Sequence, residues 1–331
     1  MEFRTSWQIK KPNFSIGLQD TVLCLGSCFA DHIGQKLIDN KFKTLVSPFG
    51  VLFNPLSIFQ LLQISIENSG LPERGYLYNQ GLYRHFYLHS DLASTSDEQM
   101  QELAYKAIEK TKATVDKAKF LIITLGTAYV YRHKESGLIA ANCHKVPATA
   151  FDKYLLDIEE ITSNFATLYA LLKQSNPDLS FIFTLSPVRH MRDSFESNTL
   201  SKSVCRLAID KIINSLDNTY YFPAYEIMLD DLRDYRFYAD DMLHPSTQAI
   251  EYIWQKFIDA IIEPSSLQFI TEWTEVHKAM HHRPFHPQSE SHIAFLEKTL
   301  QKVQGFSSRI DVSQELHELN HRLNVIKSNT K

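Results

Sequence analysis

Short apolar runs punctuate the first two-thirds of the chain, and longer amphipathic stretches separate them. Residues 22–25, 44–46, 120–124, 181–185 and 220–222 are too short for helices and lack the alternation of half-exposed strands, so they predict strands buried on both faces. Between them Phe29, Ile33 and Leu37 recur at helical spacing, as do apolar positions across 154–172 and 204–216; Ile250, Trp254, Phe257 and Ile261 mark a last helix. Buried strands alternating with helices predict an α/β protein built on a doubly wound parallel sheet.

Two stretches interrupt this alternation. Residues 51–90 carry too many aromatics and turn formers for a simple crossover, and 129–142 alternate around Lys134-Glu135-Ser136-Gly137 in the manner of a β-hairpin. Both fall at loop positions beside strand ends, where open α/β sheets bind ligands. After Glu263 the pattern changes. A segment bearing His281, His282, Pro284, His286 and Pro287 leads into two amphipathic stretches, one presenting Ile293, Leu296, Leu300 and Val303, the other Leu316, Leu319, Leu323 and Ile326. We divide the chain into an α/β domain, 1–263, and a C-terminal helical extension, 264–331, whose apolar faces pack on the core or on a partner and make it a candidate homo-oligomer contact.

Composition narrows the class. Hydrophobic residues at 44% and charged residues at 22% are those of a globular protein. A net charge of −4 with no basic block offers no footprint for nucleic acid or anionic membrane, so the expected partner is a small polar substrate. Cys24, Cys28, Cys143 and Cys205 form neither a CxxC pair nor a dense framework, which favours reduced thiols. Residues 1–12 hold no apolar leader segment and no run is long enough to span a membrane; the expectation is a cytoplasmic protein without membrane insertion.

The chemistry concentrates at two points. Gly26-Ser27 stands where a buried strand meets a helix, beside free backbone N–H groups and the positive end of the helix dipole, a place suited to a nucleophile and its oxyanion. Taken alone, a serine there is more simply an ordinary helix cap. Asp241-Met242-Leu243-His244 precedes the last helix, and Asp-x-x-His on a loop lets the carboxylate fold back onto the imidazole Nδ1, fixing the tautomer that faces a nucleophile. Ser246 capping that helix from an acidic loop is the plainer alternative. Cys28 enters the helix and reads as a packed thiol, not a nucleophile. His282 and His286 have metal-ligand spacing, but Pro284 and Pro287 argue against the helix that spacing needs, so neither a metal nor a cofactor is expected. Tyr76, Tyr78, Tyr83, Phe86 and Tyr87 make either a sugar-stacking wall or, more simply, a half-buried hairpin.

A serine after the first strand and Asp-x-x-His before the last helix resemble the SGNH or GDSL hydrolases, and the local wording resembles one branch. Gly26-Ser27-Cys28-Phe29-Ala30 spells the GSCFA signature. Ser47-Pro48-Phe49-Gly50-Val51-Leu52-Phe53-Asn54-Pro55, Leu125-Gly126-Thr127-Ala128, Asn142-Cys143-His144-Lys145, Ser186-Pro187-Val188-Arg189-His190 and Asp241 to Ser246 look like that family's other blocks in order, over roughly 21–260. The resemblance implies a flavodoxin-like three-layer α/β/α fold, Ser27 as nucleophile, His244 as base oriented by Asp241, and a Gly50 N–H in the oxyanion hole. The chain departs from the SGNH pattern in its third block, where Gly126 is followed by Thr127, Ala128 and Tyr129 instead of an Asn. Asn142, which the hairpin returns towards that strand end, is the candidate replacement donor or else a turn residue at the hairpin exit, with Thr127 and Asn54 as weaker candidates. Arg189 and His190, after the 181–185 strand, would bind a substrate carboxylate or hydroxyl or else stabilise their loop. The implied activity is a serine esterase or acyltransferase acting on an O-acylated, for instance O-acetylated, carbohydrate or cell-envelope precursor. The alternative is a catalytically weak binding protein that keeps the fold and pocket.

Overall fold

The computed structural model describes residues 7–192 and 194–329, so the first six residues of the N-terminal stretch lie outside the described residues. Contacts divide the chain into two compact units, 1–38 with 42–261, and 39–41 with 262–331.

The first unit is built on a five-stranded sheet. β1 (Thr21–Gly26) leads through α1 (Cys28–Asp39) to β2 (Lys43–Val46). After α2 (Pro55–Glu67), a hairpin of β3 (Tyr76–Asn79) and β4 (Leu82–His85), and α3 (Asp97–Val115), the chain returns as β5 (Phe120–Leu125). β6 (Tyr129–His133), β7 (Ile139–Ala140) and β8 (Phe151–Leu155) form a separate small sheet before α4 (Ile158–Ser175) and β9 (Ser180–Leu185). Then come α5 (Phe195–Ser215), β10 (Thr219–Phe222), the single turn α6 (Ala224–Glu226) and α7 (Thr247–Ile261).

The spatial order is β10-β9-β5-β1-β2, with all four pairings parallel. This is the doubly wound order in which the chain reverses direction across the sheet between its first and third strands. Leu23, Leu25, Leu121, Ile123, Phe181 and Phe183 share one core with Phe59, Ile108, Phe165 and Ile209 of α2 to α5. The alternate residues of the same strands face the other way, where Phe222 meets Phe257 of α7 with ring centroids 5.2 Å apart and Gly34 of α1 leaves room for Val46. Helices thus cover both faces of the sheet, which is why its strands read as unbroken apolar runs.

The five strands predicted from those runs are all present. The 129–142 hairpin is present as β6 and β7, and the aromatic run forms the β3–β4 hairpin. The 154–172 stretch is different: Tyr154 and Leu155 belong to β8, which pairs antiparallel with β6, and the helix begins only after Asp157, whose carboxylate accepts the Glu160 N–H. Propensity and period do not mark such a strand-to-helix border, but the Asp cap does.

The second unit consists of α8 (Pro264–Met280), α9 (Glu290–Gly305), α10 (Ser313–Asn329) and the 39–41 turn. Phe269 and Trp273 stack at 6.1 Å and Phe306 sets its ring edge against both. Trp273 Nε1 donates to Asp39 O at 2.9 Å, and Lys41 pairs with Glu315. Leu296, Val303, Leu319 and Leu323 are buried, as their helical spacing predicts. Among the described residues no helix is long and apolar enough to cross a membrane.

Candidate active site

Ser27 follows the last residue of β1 and precedes α1. The turn is sharp because Gly26 adopts φ +136°, and a Cβ there would lie 2.2 Å from Thr124 O, so no side chain fits. Ser27 N donates to Thr124 O at 3.1 Å, and its hydroxyl accepts from Phe29 N–H at 3.4 Å in the manner of a cap. The residue is 1% exposed. Cys28 takes the first position of α1, where the N–H has no intrahelical acceptor. Burial, and then the Asp31 carboxylate, push its thiol up, overriding the helix terminus and keeping it protonated, which removes it as a thiolate nucleophile.

The loop before α7 carries the second half. His244 Nδ1 lies 2.6 Å from Asp241 Oδ2, while Asp241 Oδ1 accepts the Leu243 and His244 N–H groups, each at 2.9 Å. Met242, at φ +57°, turns the chain so that the carboxylate meets the ring three residues on. The His244 and Leu243 N–H groups, followed by the imidazole, hold Asp241 down at about 2, so it is a carboxylate at any working pH. The dyad is thus built by local geometry, and both side chains remain partly open, 46% and 40% exposed.

Both halves lie at the carboxyl edge of the sheet. Arg189 N donates to Leu243 O at 3.1 Å, tying the dyad loop to the turn that leaves β9. His32, on the first turns of α1, feels His244: partial burial of its ring lowers its pKa, Asp31 opposes this and the His244 charge adds to it. Among the described residues no hydrogen bond joins Ser27 Oγ to His244, so the two share an edge without being locked together.

The other predicted residues are engaged locally. Gly50 has φ +74° with its face against His89, and its N–H donates to Ser47 O at 2.8 Å. Asn142 Nδ2 donates to Ser90 Oγ at 3.0 Å and its Oδ1 accepts the His144 N–H, which leaves one amide hydrogen for another acceptor. Thr127 Oγ1 lies 2.8 Å from Ser201 Oγ and accepts the Tyr129 N–H, fixing the β5 exit to α5. Asn54 caps α2 through Ser57. Arg189 lies over the Tyr238 ring at 4.0 Å, and His190 sets its ring edge on Phe53, over Gly126. The structure adds a polar group that spacing did not reveal. Asp31 accepts from Ser47 Oγ, its carboxyl is raised by burial, and His32 and His89 both act on it; His89 Nδ1 in turn lies 3.1 Å from Asp91. Position 31, one helical turn beyond Ser27, was the available signal.

The model of the GSCFA family matches residues 21–257, and that of the GSCFA domain protein, C-terminal domain, matches 273–325. No curated protein matches the chain. The first match spans well over half of the chain and runs from the first residue of β1 into α7, and on that ground the chain belongs to the GSCFA family.

Proposed function

We propose that the protein is a serine esterase or acyltransferase of the SGNH type. The reading is carried by one observation: a serine on a glycine elbow at the end of β1 shares the carboxyl edge of the sheet with a preformed Asp–His pair. Ser27 Oγ attacks an ester carbonyl while His244 Nε2 accepts its proton. The tetrahedral intermediate expels the alkoxide, which takes that proton from the imidazolium, and water or an acceptor hydroxyl then releases the acyl group by the same steps in reverse roles. Asp241 holds the tautomer and steadies the imidazolium without itself titrating. The α1 N-terminus stabilises the oxyanion through the Cys28 N–H, with the remaining Asn142 amide hydrogen as the side-chain donor. The substrate class is an O-acylated carbohydrate or cell-envelope precursor, with Arg189 and His190 on the acceptor side.

A fluorophosphonate probe applied to the folded protein, followed by a screen of small acyl esters, tests this. Labelling and turnover that disappear in Ser27→Ala are expected. A second reading, a binding protein that has kept the fold, draws support from the near-complete burial of Ser27 and from the engagement of the Ser27 and Gly50 N–H groups by Thr124 O and Ser47 O. Folded wild-type protein that neither labels nor turns over any ester would favour that second reading.

A further inference from the structure

A groove of about 600 Å³ runs between the β3–β4 hairpin and the β6–β7 hairpin, within the range of small-ligand sites. None of Ser27, Asp241 and His244 lines it. Its aromatic residues are held by ring contacts: Tyr76 rests on His85 at 4.7 Å, Tyr78 on Tyr83 at 4.8 Å, and Phe86 on His133, which also lines the groove, at 4.6 Å. Tyr78 nevertheless keeps 64% of its surface open, an unusual exposure for a ring held in place.

The facing wall is strained. His144 and Lys145 are consecutive non-glycine residues at positive φ, +48° and +60°. Three hydrogen bonds hold His144 there: its N–H to Asn142 Oδ1, its carbonyl from Asn79 Nδ2, and its Nε2 to His85 O. Strain over-determined by its surroundings marks functional segments, and this turn delivers Lys145 to the groove. Arg74 lines the same groove. Among the described residues neither cation forms an ion pair. Glu135 and Asn79 on the same walls are acceptors suited to hydroxyl donors, and a carboxylate there opposes a polyphosphate.

We propose that this groove is a saccharide-binding site selective for acidic sugars, the carbon face of a sugar ring lying on Tyr76 and Tyr78, its carboxylate between Arg74 and Lys145 and its hydroxyls on Glu135 and Asn79. The site goes beyond the serine chemistry and does not depend on it. The test titrates the full-length protein with trigalacturonate, a neutral trisaccharide and AMP, by calorimetry at low and high salt. Saturable binding of trigalacturonate is expected, weakened tenfold or more by Lys145→Gln with Arg74→Gln, weakened also by Tyr78→Ala and by salt, with the neutral sugar binding less tightly. Fluorophosphonate labelling at Ser27 is expected to be unchanged in these surface variants, so a failed esterase reading leaves this result standing. The absence of saturable binding, equal binding by the double variant when folded, or preferential binding of AMP would overturn the proposal.

Discussion

At the scale of single residues, the site turns on which hydrogen bonds are already spent. Asp241 accepts two backbone N–H groups as well as the imidazole, and these depress its pKa to about 2. A carboxyl lowered on folding contributes above its ordinary range and loses that contribution only as pH falls through the depressed value. The Asp241–His244 arrangement should therefore survive to near pH 2. Asp241→Asn should cut turnover by ~10²-fold or more and change the shape of the pH–rate profile, while Asp240→Asn, one position out of register, should leave both alone. Profiles with a chromogenic acyl ester check this, and a crippled Asp240→Asn beside an unaffected Asp241→Asn would reassign the carboxylate. Asn142 has two jobs that can be separated. Its Oδ1 holds the His144 turn and its amide donates, so Asn142→Asp keeps the acceptor and loses the donor. If the amide serves the oxyanion, Asn142→Asp and Asn142→Ala should both lose ~10²-fold in turnover; an aspartate variant with near-normal rates would restrict Asn142 to its turn.

At the scale of elements, Lys202 on α5 is the anomaly. Its ammonium is fully buried and donates to Ser186 O at 2.7 Å; near it lie the Tyr225 ring and the Cys205 thiol, which burial pushes up to about 12 and so keeps uncharged. Burial lowers its pKa from the ordinary 10.5 to about 7. The unfolded chain therefore holds this proton more tightly than the folded one. The resulting penalty is absent above pH 10.5, grows as pH falls and is complete below about 7. Replacing an uncompensated buried charge by an apolar side chain of like volume is commonly stabilising by ~1–4 kcal/mol. Lys202→Met should accordingly raise the urea midpoint at pH 6.5, with the advantage shrinking at pH 9.5; a lower midpoint at both would show that the Ser186 bond outweighs the desolvation. That bond anchors the turn leading to Arg189, which explains retaining a costly residue.

What could be read from the sequence follows the same division. Strands such as 120–124 and 181–185 were legible because burial on both faces leaves an unbroken apolar run, and the Asp-x-x-His dyad because it is local: three residues and one turn build it. β8 was not, since Tyr154 and Leu155 merge into the amphipathic run of α4. Nor was the Asp31, His32 and His89 group, because the contacts of His89 with Gly50 and of Asp31 with Ser47 join loops distant in sequence. Asn142 shows the boundary. The hairpin that returns it was readable, whereas the choice of Ser90 as its partner depends on packing that no spacing records.

At the scale of the whole molecule, every residue placed in the candidate site belongs to the first unit. A chain ended after Glu263 should therefore keep Ser27-dependent labelling, with a modest loss of stability because Lys41 and the Asp39 carbonyl lose Glu315 and Trp273. Light scattering on both chains tests whether α8 to α10 carry a homo-oligomer contact, which would appear as a drop in molar mass beyond that of the deleted residues. The parallel sheet has one more consequence. β1 pairs with β2, one helix away in sequence, but its other neighbour, β5, comes from the far side of two helices and a hairpin, as the register Val22 with Phe120 shows. Long-range parallel pairing closes large loops before it gains contacts, and folds slowly. A nascent chain therefore cannot complete the glycine elbow on its own strand: Ser27 N bonds Thr124 O, and the serine takes its place in the turn only once β5 has been made and has docked beside β1.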